Sequence, residues 1–299
     1  MLTVKAPAKI NWSLHVLTRR DDGYHAIRSL MHCVGLCDTL TFSDTGSTGT
    51  IELVSAMELP PEQNIVYRAA ELLRSHAGTD RGARITLVKE IPSGAGLGGG
   101  SSDAAAALKG LNELWGLGME RAELKALGSR LGSDVPFFFD APLAIAEGRG
   151  ELLTPLSLSR SYTLLLVKPA LSVETAWAYR ELSASALGRG GAMSPAEELT
   201  KERQTINNIQ LIYEALKSGD RARLASLVHN DFEGIVFKRY SVIRAIKEGL
   251  LACGALPALM SGSGSTVFGL FEDRETALSA SRRFPQHFCR VAETLTTAL

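Results

Sequence analysis

The sequence has no excess of charge and no long apolar run. Its 299 residues include 32 basic and 32 acidic side chains, so the formal net charge is zero. Proteins that coat nucleic acid or an anionic membrane carry surplus positive charge, and we therefore expect neither partner. No apolar run approaches the roughly 18 residues of a membrane span. A signal peptide needs an unbroken apolar stretch, and Lys5, Lys9 and Asn11 interrupt the N-terminal segment. We therefore expect a cytoplasmic location.

The sequence is also poor in cysteine and histidine, and neither residue is spaced like a metal site. Cys33, Cys37, Cys253 and Cys289 form no CxxC pair, which favours free, mostly buried thiols. Apart from His25, the histidines are expected to be structural or surface residues without cluster partners: His15, His32, His76, His229 and His287.

Composition and the order of the predicted elements indicate an α+β protein in two parts. Hydrophobic residues make up 45% of the chain, which is ample for a core. The length allows two domains, and the boundary is expected near residues 155–160, which gives one domain over 1–157 and another over 158–299.

The apolar pattern predicts where strands and helices lie. Strands are predicted at 2–5, 10–17, 26–34, 39–43, 50–54, 84–91, 143–147, 151–154, 162–167, 257–261, 265–271 and 287–295. Helices are predicted after Asn64, with a stop at Gly78, from Ser101, at 120–131, and at about 207–217, 220–228, 240–251 and 273–284. The segment 183–206, rich in Ser, Gly, Arg and Glu, is predicted to be a flexible surface loop.

The strongest local signal is the segment PSGAGLGGGSS at residues 92–102, in which five of eleven residues are glycine. Glycines let successive backbone N–H groups point into one concavity, and the helix predicted to follow would add its own N-terminal N–H groups. A triphosphate fits this arrangement, and the two serine hydroxyls could contact phosphate oxygens or ligate magnesium. The expected nucleotide contacts are Pro92, Ser93, Gly94, Ala95, Gly96, Leu97, Gly98, Gly99, Gly100, Ser101 and Ser102.

Two other interpretations of this segment stay open from the residues alone. The segment could be a flexible turn before a helix, with Ser101 as its N-cap. Gly94, Gly96 and Gly99 also satisfy the GxGxxG pattern of dinucleotide-binding folds, but the region about 20 residues further on is predicted to be helical. No GxxxxGK[ST] motif occurs in the chain, so a lysine for the phosphates must come from elsewhere.

Three segments together resemble the GHMP kinases: APAKINWSLHVLTRRDDGYH (6–25), PSGAGLGGGSSDAAAAL (92–108) and LMSGSGSTVFG (259–269). Within that superfamily, Gly23-Tyr24-His25 and GSDVPFF (132–138) resemble the kinases of 4-diphosphocytidyl-2-C-methyl-D-erythritol, which act in the methylerythritol phosphate route to isoprenoid precursors. The resemblance implies a two-domain fold with ATP and substrate in the cleft between the halves. It also implies phosphoryl transfer to the 2-hydroxyl of that alcohol.

The resemblance implies a catalytic pair, Lys9 and Asp134. Asp134 would orient the acceptor hydroxyl and take its proton late, as the oxygen–phosphorus bond forms, while Lys9 would keep Asp134 ionised and offset negative charge. From the residues alone, Asp134 could equally belong to an Asx turn or a helix N-cap, and Lys9 could be an ordinary surface lysine.

The resemblance also implies binding residues. Asn64 and Lys89 would contact the nucleotide, although Asn64 is equally suited to cap a helix. The remaining positions would bind the substrate: Tyr24 and His25 would grip the cytosine, Tyr179 would add a second stacking ring one helical turn after Thr175, Asn11 would bind the erythritol end, and Gly262 and Ser263 would close over the phosphates or the substrate. Without the resemblance, Tyr24 and the turn at 261–266 could be ordinary hairpin features.

The expected co-substrate is ATP with Mg²⁺, whose protein ligands the sequence does not identify, and the chain is expected to be a monomer or a homodimer. One alternative is another GHMP kinase, acting on homoserine or mevalonate. A second is a non-catalytic nucleotide-binding protein of the same fold, against which the presence of both Lys9 and Asp134 argues.

Overall fold

The computed structural model describes residues 1–45, 49–57, 59–140, 142–187 and 195–298, and these form the α+β fold that was predicted. The strands are β1 (Leu2–Arg19), β2 (His25–Asp44), β3 (Ile51–Ser55), β4 (Ala83–Val88), β5 (Leu143–Glu147), β6 (Leu152–Leu156), β7 (Thr163–Lys168), β8 (His229–Asn230), β9 (Ala258–Met260), β10 (Val267–Phe271) and β11 (Phe288–Glu293). The helices are α1 (Ile65–Ala77), α2 (Gly99–Leu114), α3 (Arg121–Leu131), α4 (Phe137–Asp140), α5 (Thr175–Leu187), α6 (Pro195–Ser218), α7 (Arg221–Leu227), α8 (Glu233–Arg239), α9 (Ser241–Ala252) and α10 (Arg274–Ser281).

The first sheet is built around the long antiparallel pair β1 and β2. Its order is β3-β4-β2-β1-β8, with β5 on β2 and β6 on β5. Each long strand had been predicted as two shorter ones. The pairing register shifts between Pro7 and Ala8 but the strands continue, because an irregularity in the ladder accommodates a residue that lacks an N–H.

Helices α1 and α2 cover the first sheet and α3 packs on these two helices, and the contact of α2 with the strands depends on small residues. Ala104, Ala105, Ala106 and Ala107 are buried, which lets the helix lie close to the strands. A Cβ on Gly110 would collide with the ring of Phe42, so only glycine fits at that contact. This packing fixes the N-terminus of α2, and with it the end of the glycine-rich loop.

The second sheet has the order β11-β7-β10-β9 and is antiparallel throughout. Strand β7 is almost entirely buried, as its run of leucines predicts. The short strand β8 belongs to the C-terminal half of the sequence but pairs in parallel with β1 of the first sheet. The proposed boundary between residues 157 and 158 falls between β6 and β7 and stays a prediction.

The segment 183–206 was wrongly predicted to be a surface loop. Residues 183–187 end α5 and residues 195–206 begin α6, while 188–194 lie outside the described residues. The guanidinium of Arg28 donates to Glu202 O and Thr205 Oγ1, both at 3.1 Å, so a contact distant in sequence helps to hold α6 on the first sheet. Within the ranges that the structure describes, no helix has the length and apolarity of a membrane span.

Candidate active site

The glycine-rich loop joins the end of β4 to the start of α2. Gly94, Gly96 and Gly98 have φ values of +60°, +74° and +69°, a left-handed conformation that residues with a side chain rarely adopt. Helix α2 begins at Gly99, and the first N–H groups of a helix have no acceptor within it. The loop and the helix start therefore present the backbone donors that an anion site requires.

A cavity of about 390 Å³ lies against this loop. Its lining brings together most of the residues predicted to contact the nucleotide: Asn64, Lys89, Pro92, Ser93, Gly94, Ala95, Gly96, Leu97, Gly98, Gly99, Gly100 and Ser101. The lining also contains Met57, Leu59, Gln63, Ile65, Leu87 and Asp103. Asn64 also caps α1, because its Oδ1 accepts the N–H of Val66 at 2.9 Å, so both of its proposed roles have a structural basis. Ser102 is buried within the first turns of α2.

Lys89 is held at the cavity by two buried carboxylates. Its ammonium contacts Asp38 Oδ2 and lies 2.6 Å from Asp103 Oδ2. Asp38 Oδ1 also accepts the N–H groups of Glu90 (2.6 Å) and Ile91 (2.8 Å). Burial raises the pKa of Asp103 to about 7, against the opposing effect of the Lys89 ammonium. This ion cluster therefore anchors the chain immediately before the glycine-rich loop.

Lys9 and Asp134 lie side by side, as the predicted catalytic pair requires. Lys9 Nζ is 3.7 Å from Asp134 Oδ2, and the two side chains are 5% and 34% exposed. Burial lowers the pKa of Lys9, while the Asp134 carboxylate opposes this shift. Lys9 Nζ also donates to Asn11 Oδ1 at 2.8 Å, and Asn11 Nδ2 donates to Ser29 Oγ at 2.8 Å. Asn11, predicted to bind the erythritol end, thus has both ends of its amide bonded within the protein.

Lys9 packs directly against the glycine-rich loop. Its N–H donates to Leu97 O at 2.9 Å. A Cβ on Gly98 would come within 3.0 Å of Lys9 Cγ, so the glycine permits this close approach. Ser101 Oγ lies 3.8 Å from the position of a Cβ on Gly132, in the turn that carries the predicted catalytic aspartate. The loop therefore packs on Lys9 and lies next to the turn that carries Asp134.

The turn at residues 261–266 docks on the main chain of the glycine-rich loop. Ser261 Oγ donates to Gly96 O at 2.9 Å, and Thr266 N donates to Ala95 O at 3.1 Å. The C-terminal half of the chain thus contributes directly to the shape of the loop.

The two residues of this turn that were predicted to contact a ligand have partners of their own. Gly262 N donates to Asn11 Oδ1 at 3.0 Å. Ser263 Oγ lies at hydrogen-bond distance, 2.9 Å, from Thr175 Oγ1 at the start of α5. Tyr179 follows Thr175 by four residues on the same helix, as expected. These contacts gather four of the predicted substrate residues around Lys9 and α5.

The ring that stacks on Tyr179 is that of His25. The two centroids are 5.4 Å apart with an interplanar angle of 19°, and His25 Nε2 lies 2.9 Å from Ser183 Oγ. Tyr24 is 56% exposed, and the guanidinium of Arg149 lies over its ring at 4.9 Å. Adjacent turn residues point in different directions, so the sequence could not indicate which of the two would meet Tyr179. Base binding by Tyr24 and Tyr179 stays a prediction.

Tyr179 is a mostly buried platform beside the predicted catalytic aspartate. The rings of Phe232 and Tyr179 meet edge to face, with their centroids 4.9 Å apart and an interplanar angle of 85°. Burial, and then the negative charge of Asp134, raise the pKa of Tyr179 to about 12. The aromatic platform and the Asp134 carboxylate therefore share one electrostatic environment.

The prediction that His15 and His229 have no cluster partners was wrong. Their rings stack at 5.1 Å, and with Asp231 they place three potential ligand atoms within 4.8 Å of one another. Asp231 already accepts the N–H of Val16 at 2.7 Å and lies 3.9 Å from the Lys201 ammonium. Because the Lys201 ammonium offsets the charge of the carboxylate and the Val16 N–H occupies one of its oxygens, we assign no cation to the cluster. All four cysteines are free, as predicted, but the expectation that most are buried was wrong, because only Cys33 is buried and the other three are partly exposed.

Of the residues that sequence reasoning missed, Asp38 and Arg149 act across long sequence separations, whereas Asp103 lies next to the glycine-rich loop. Asp38 lies 51 residues before Lys89, and no local motif marks it. Asp103 follows the two serines of the loop directly, so its position in that motif was an available signal. Arg149 lies in an ordinary turn whose nearness to Tyr24 depends on the tertiary fold.

Comparison with known proteins agrees with this geometry. The family model "GHMP kinases N terminal domain" matches residues 64–141, and "GHMP kinases C terminal" matches residues 212–289.

The 4-diphosphocytidyl-2-C-methyl-D-erythritol kinase of Thermodesulfovibrio yellowstonii is 47% identical over 300 residues, with 100% of both chains covered. The enzyme of that name from Pelotomaculum thermopropionicum is 43% identical, with 95% of this chain and 94% of its own covered. A crystal structure of a 4-(cytidine 5'-diphospho)-2C-methyl-D-erythritol kinase matches with a TM-score of 0.80 at 34% identity, over 98% of this chain and 99% of that one. The chain therefore belongs to the GHMP kinases, within the group of 4-diphosphocytidyl-2-C-methyl-D-erythritol kinases.

Proposed function

We propose that this enzyme transfers the γ-phosphoryl group of ATP to the 2-hydroxyl of 4-diphosphocytidyl-2-C-methyl-D-erythritol, a step in isoprenoid precursor synthesis. The observation that carries the proposal is the Lys9–Asp134 pair, whose lysine packs against the glycine-rich loop. The names of the full-length relatives support the choice of substrate.

The nucleotide is proposed to occupy the cavity beside the loop, with its phosphates at the N-terminus of α2. Backbone N–H groups and the helix dipole favour negative charge there. The apolar lining formed by Met57, Leu59 and Ile65 suits the base, and Lys89 supplies a positive charge at the cavity wall.

Asp134 is proposed to orient the acceptor hydroxyl and to receive its proton late in the transfer. A carboxylate is a much weaker base than an alkoxide, so its main contribution is alignment of the attacking oxygen. Lys9 is buried and bonded to Asn11, which fixes its ammonium where charge develops on the reacting oxygens.

Magnesium is proposed to accompany ATP, and the residues present fit such an ion. Within the described residues Ser102 Oγ is buried without a hydrogen-bond partner, and Mg²⁺ prefers oxygen ligands. The hydroxyls of Ser101 and Ser102 are the oxygens that would hold it. When bound, the ion neutralises charge on the phosphates.

The cytosine is proposed to bind beside the Tyr179 platform, with Tyr24 and His25 supplying the second aromatic face and an edge contact. Thr175, Gly262 and Ser263 lie nearby and border the path from the base to Lys9. A cytoplasmic location, a monomeric or homodimeric state and the absence of nucleic-acid and membrane partners stay predictions from the sequence.

Phosphorus NMR tests the proposal directly. The protein is incubated with ATP, Mg²⁺ and 4-diphosphocytidyl-2-C-methyl-D-erythritol, with homoserine and mevalonate in parallel reactions. The expected result is ADP and a new phosphomonoester signal with the cytidylated acceptor alone. Unchanged ATP in that reaction, alongside an active relative as control, would refute catalysis, and turnover of homoserine or mevalonate instead would refute the substrate.

A further inference from the structure

The side chain of Asn230, at the end of β8, bridges two carbonyl groups of the chain that enters the 261–266 turn. Its Nδ2 donates to Met260 O at 2.7 Å and to Gly262 O at 2.8 Å, and its Oδ1 accepts the N–H of Phe232 at 2.9 Å. Asn230 is only 3% exposed. Both donors of the amide are therefore used, and water has little access to replace them.

The two carbonyl groups held by Asn230 lie on either side of the Ser261–Gly262 peptide, whose N–H bonds to Asn11. Met260 O belongs to the peptide before that group and Gly262 O to the peptide after it, while Gly262 N donates to Asn11 Oδ1 at 3.0 Å. The same Asn11 oxygen accepts Lys9 Nζ at 2.8 Å. Asn230 thus lies two hydrogen bonds from the atom that orients the Lys9 ammonium.

The residues that follow Asn230 reinforce the same arrangement. Glu233 Oε1 accepts the N–H of Met260 at 2.9 Å, and Lys247 Nζ donates to Glu233 Oε2 at 2.6 Å. Both backbone groups of Met260 are therefore held from the same short segment. Phe232, which lies between Asn230 and Glu233 in sequence, packs edge to face with the Tyr179 ring.

We infer that Asn230 is a positioning residue for the Lys9 ammonium, acting through the Gly262 peptide and Asn11. This inference rests on the proposed function for its catalytic consequence, but the position and charge of Lys9 can be measured without turnover. Loss of the two Asn230 donors frees the Gly262 peptide, so the bond from Gly262 to Asn11 loosens and Lys9 loses a fixed acceptor.

The test compares Asn230→Leu with Asn208→Leu. Leucine is similar in size to asparagine but has no donor. Asn208 also donates to a backbone carbonyl, Leu227 O at 2.9 Å, but does so on α6, among contacts with His15 rather than with the 261–266 turn. Asn208→Leu therefore controls for the loss of a side-chain amide that bonds to a backbone carbonyl, at a position that is half-buried where Asn230 is fully buried.

The first readout is the titration of the Lys9 Cε signal in protein labelled with ¹³C-lysine, assigned by its loss in Lys9→Arg. Because a fixed acceptor favours the charged ammonium, Asn230→Leu should lower the pKa of Lys9 below its value in the wild type, and Asn208→Leu should leave it unchanged. An unchanged titration in Asn230→Leu would overturn the inference, whether or not the enzyme phosphorylates the proposed substrate. Should Asn230→Leu fail to fold, Asn230→Ala is measured in the same way.

The second readout is steady-state kinetics with the substrate that the wild type uses. We expect kcat to fall about 10- to 100-fold in Asn230→Leu, with a smaller change in KM for ATP, because misplacement of a catalytic group mainly affects the transition state. In an Asn11→Ala background the same change should have little further effect, since the connection is already broken. If the kcat losses of Asn11→Ala and Asn230→Leu multiply in the double variant, the two residues act independently and the inference is wrong. Absence of turnover in the wild type would count against the proposed function alone.

Discussion

Gly96 of the glycine-rich loop and Ser261 of the C-terminal turn are in direct contact. The Ser261 hydroxyl donates to Gly96 O at 2.9 Å, and a Cβ on Gly96 would collide with Ser261 O. The loop that faces the proposed nucleotide is therefore shaped in part by a residue 165 positions later in the chain. Its conformation depends on the docking of both halves and not on its glycine content alone.

Gly96→Ala is expected to destabilise the protein. The residue has φ of +74°, which costs an L side chain roughly 1–2 kcal/mol, and the clash with Ser261 adds to this. Gly100→Ala is the matched control, because it lies in α2 and its added Cβ would meet only Ile65 at 3.8 Å. Differential scanning calorimetry should show a lower Tm for the first variant and an equal or higher Tm for the second. Equal Tm values for the two variants would contradict the proposed role of the close contact.

Asp134→Asn is expected to keep ATP binding and to lose most turnover. The neutral amide cannot take the hydroxyl proton late in the transfer, aligns the hydroxyl less firmly than a carboxylate and leaves the Lys9 ammonium unpaired. Groups that act on the proton of a reacting hydroxyl typically contribute about 10²- to 10⁴-fold to the rate. Asp140→Asn makes the same chemical change at a carboxylate paired with Lys125, away from the proposed site, and should retain the wild-type kcat. Calorimetric titration with ATP and rapid-quench kinetics give the two quantities. A variant at Asp134 that keeps most of its rate would assign this residue a structural role.

Local patterns predicted much of the fold because alternation and helical spacing are local properties. The sequence indicated the helix over 65–77 from its cap and its glycine stop, and the structure has Asn64 and Gly78 in those positions. The segment 183–206 was mispredicted because its helices are held by tertiary contacts, such as that of Arg28 with Thr205, which composition does not reveal. The continuity of β1 through Pro7 likewise depends on its pairing with β2.

The candidate site was predictable to the extent that its residues are close together in sequence. The glycine-rich loop is one such segment, and its residues do line a cavity. Asp38 and Asn230 could not be identified in this way, because each acts on a segment more than 25 residues away. Buried polar residues that satisfy distant backbone groups have no sequence pattern of their own.

The stability of the protein should depend on the protonation of Asp103. Burial raises its pKa to about 7, whereas the pKa of an aspartate in the unfolded chain is about 4. Between these values the folded state retains a proton that the unfolded chain has lost, so this group makes stability fall as pH rises, by at most about 1.4 kcal/mol per pH unit. Above pH 7 both states are deprotonated and the contribution becomes constant.

Asp103→Asn removes this titration while it keeps the shape of the side chain. The Tm of the variant minus that of the wild type should therefore increase from pH 5 to about pH 7 and then level off. Scanning calorimetry of both proteins in matched buffers measures the difference. A difference that stays constant over this range would show that Asp103 has an ordinary pKa in the folded protein.

Tyr179→Leu is expected to weaken binding of the cytidylated substrate and to leave ATP binding intact. Stacking of a base on an aromatic ring is worth about 1–3 kcal/mol, so KM for the substrate should rise by roughly 5- to 150-fold. Tyr179→Phe keeps the ring that contacts His25 and Phe232, and its KM should stay near the wild-type value. Steady-state kinetics at saturating ATP measure both variants, with KM for ATP as the internal control. Equal loss of affinity for ATP and substrate in Tyr179→Leu would indicate a general disturbance of α5, because a stacking platform acts only on the ligand that carries the base.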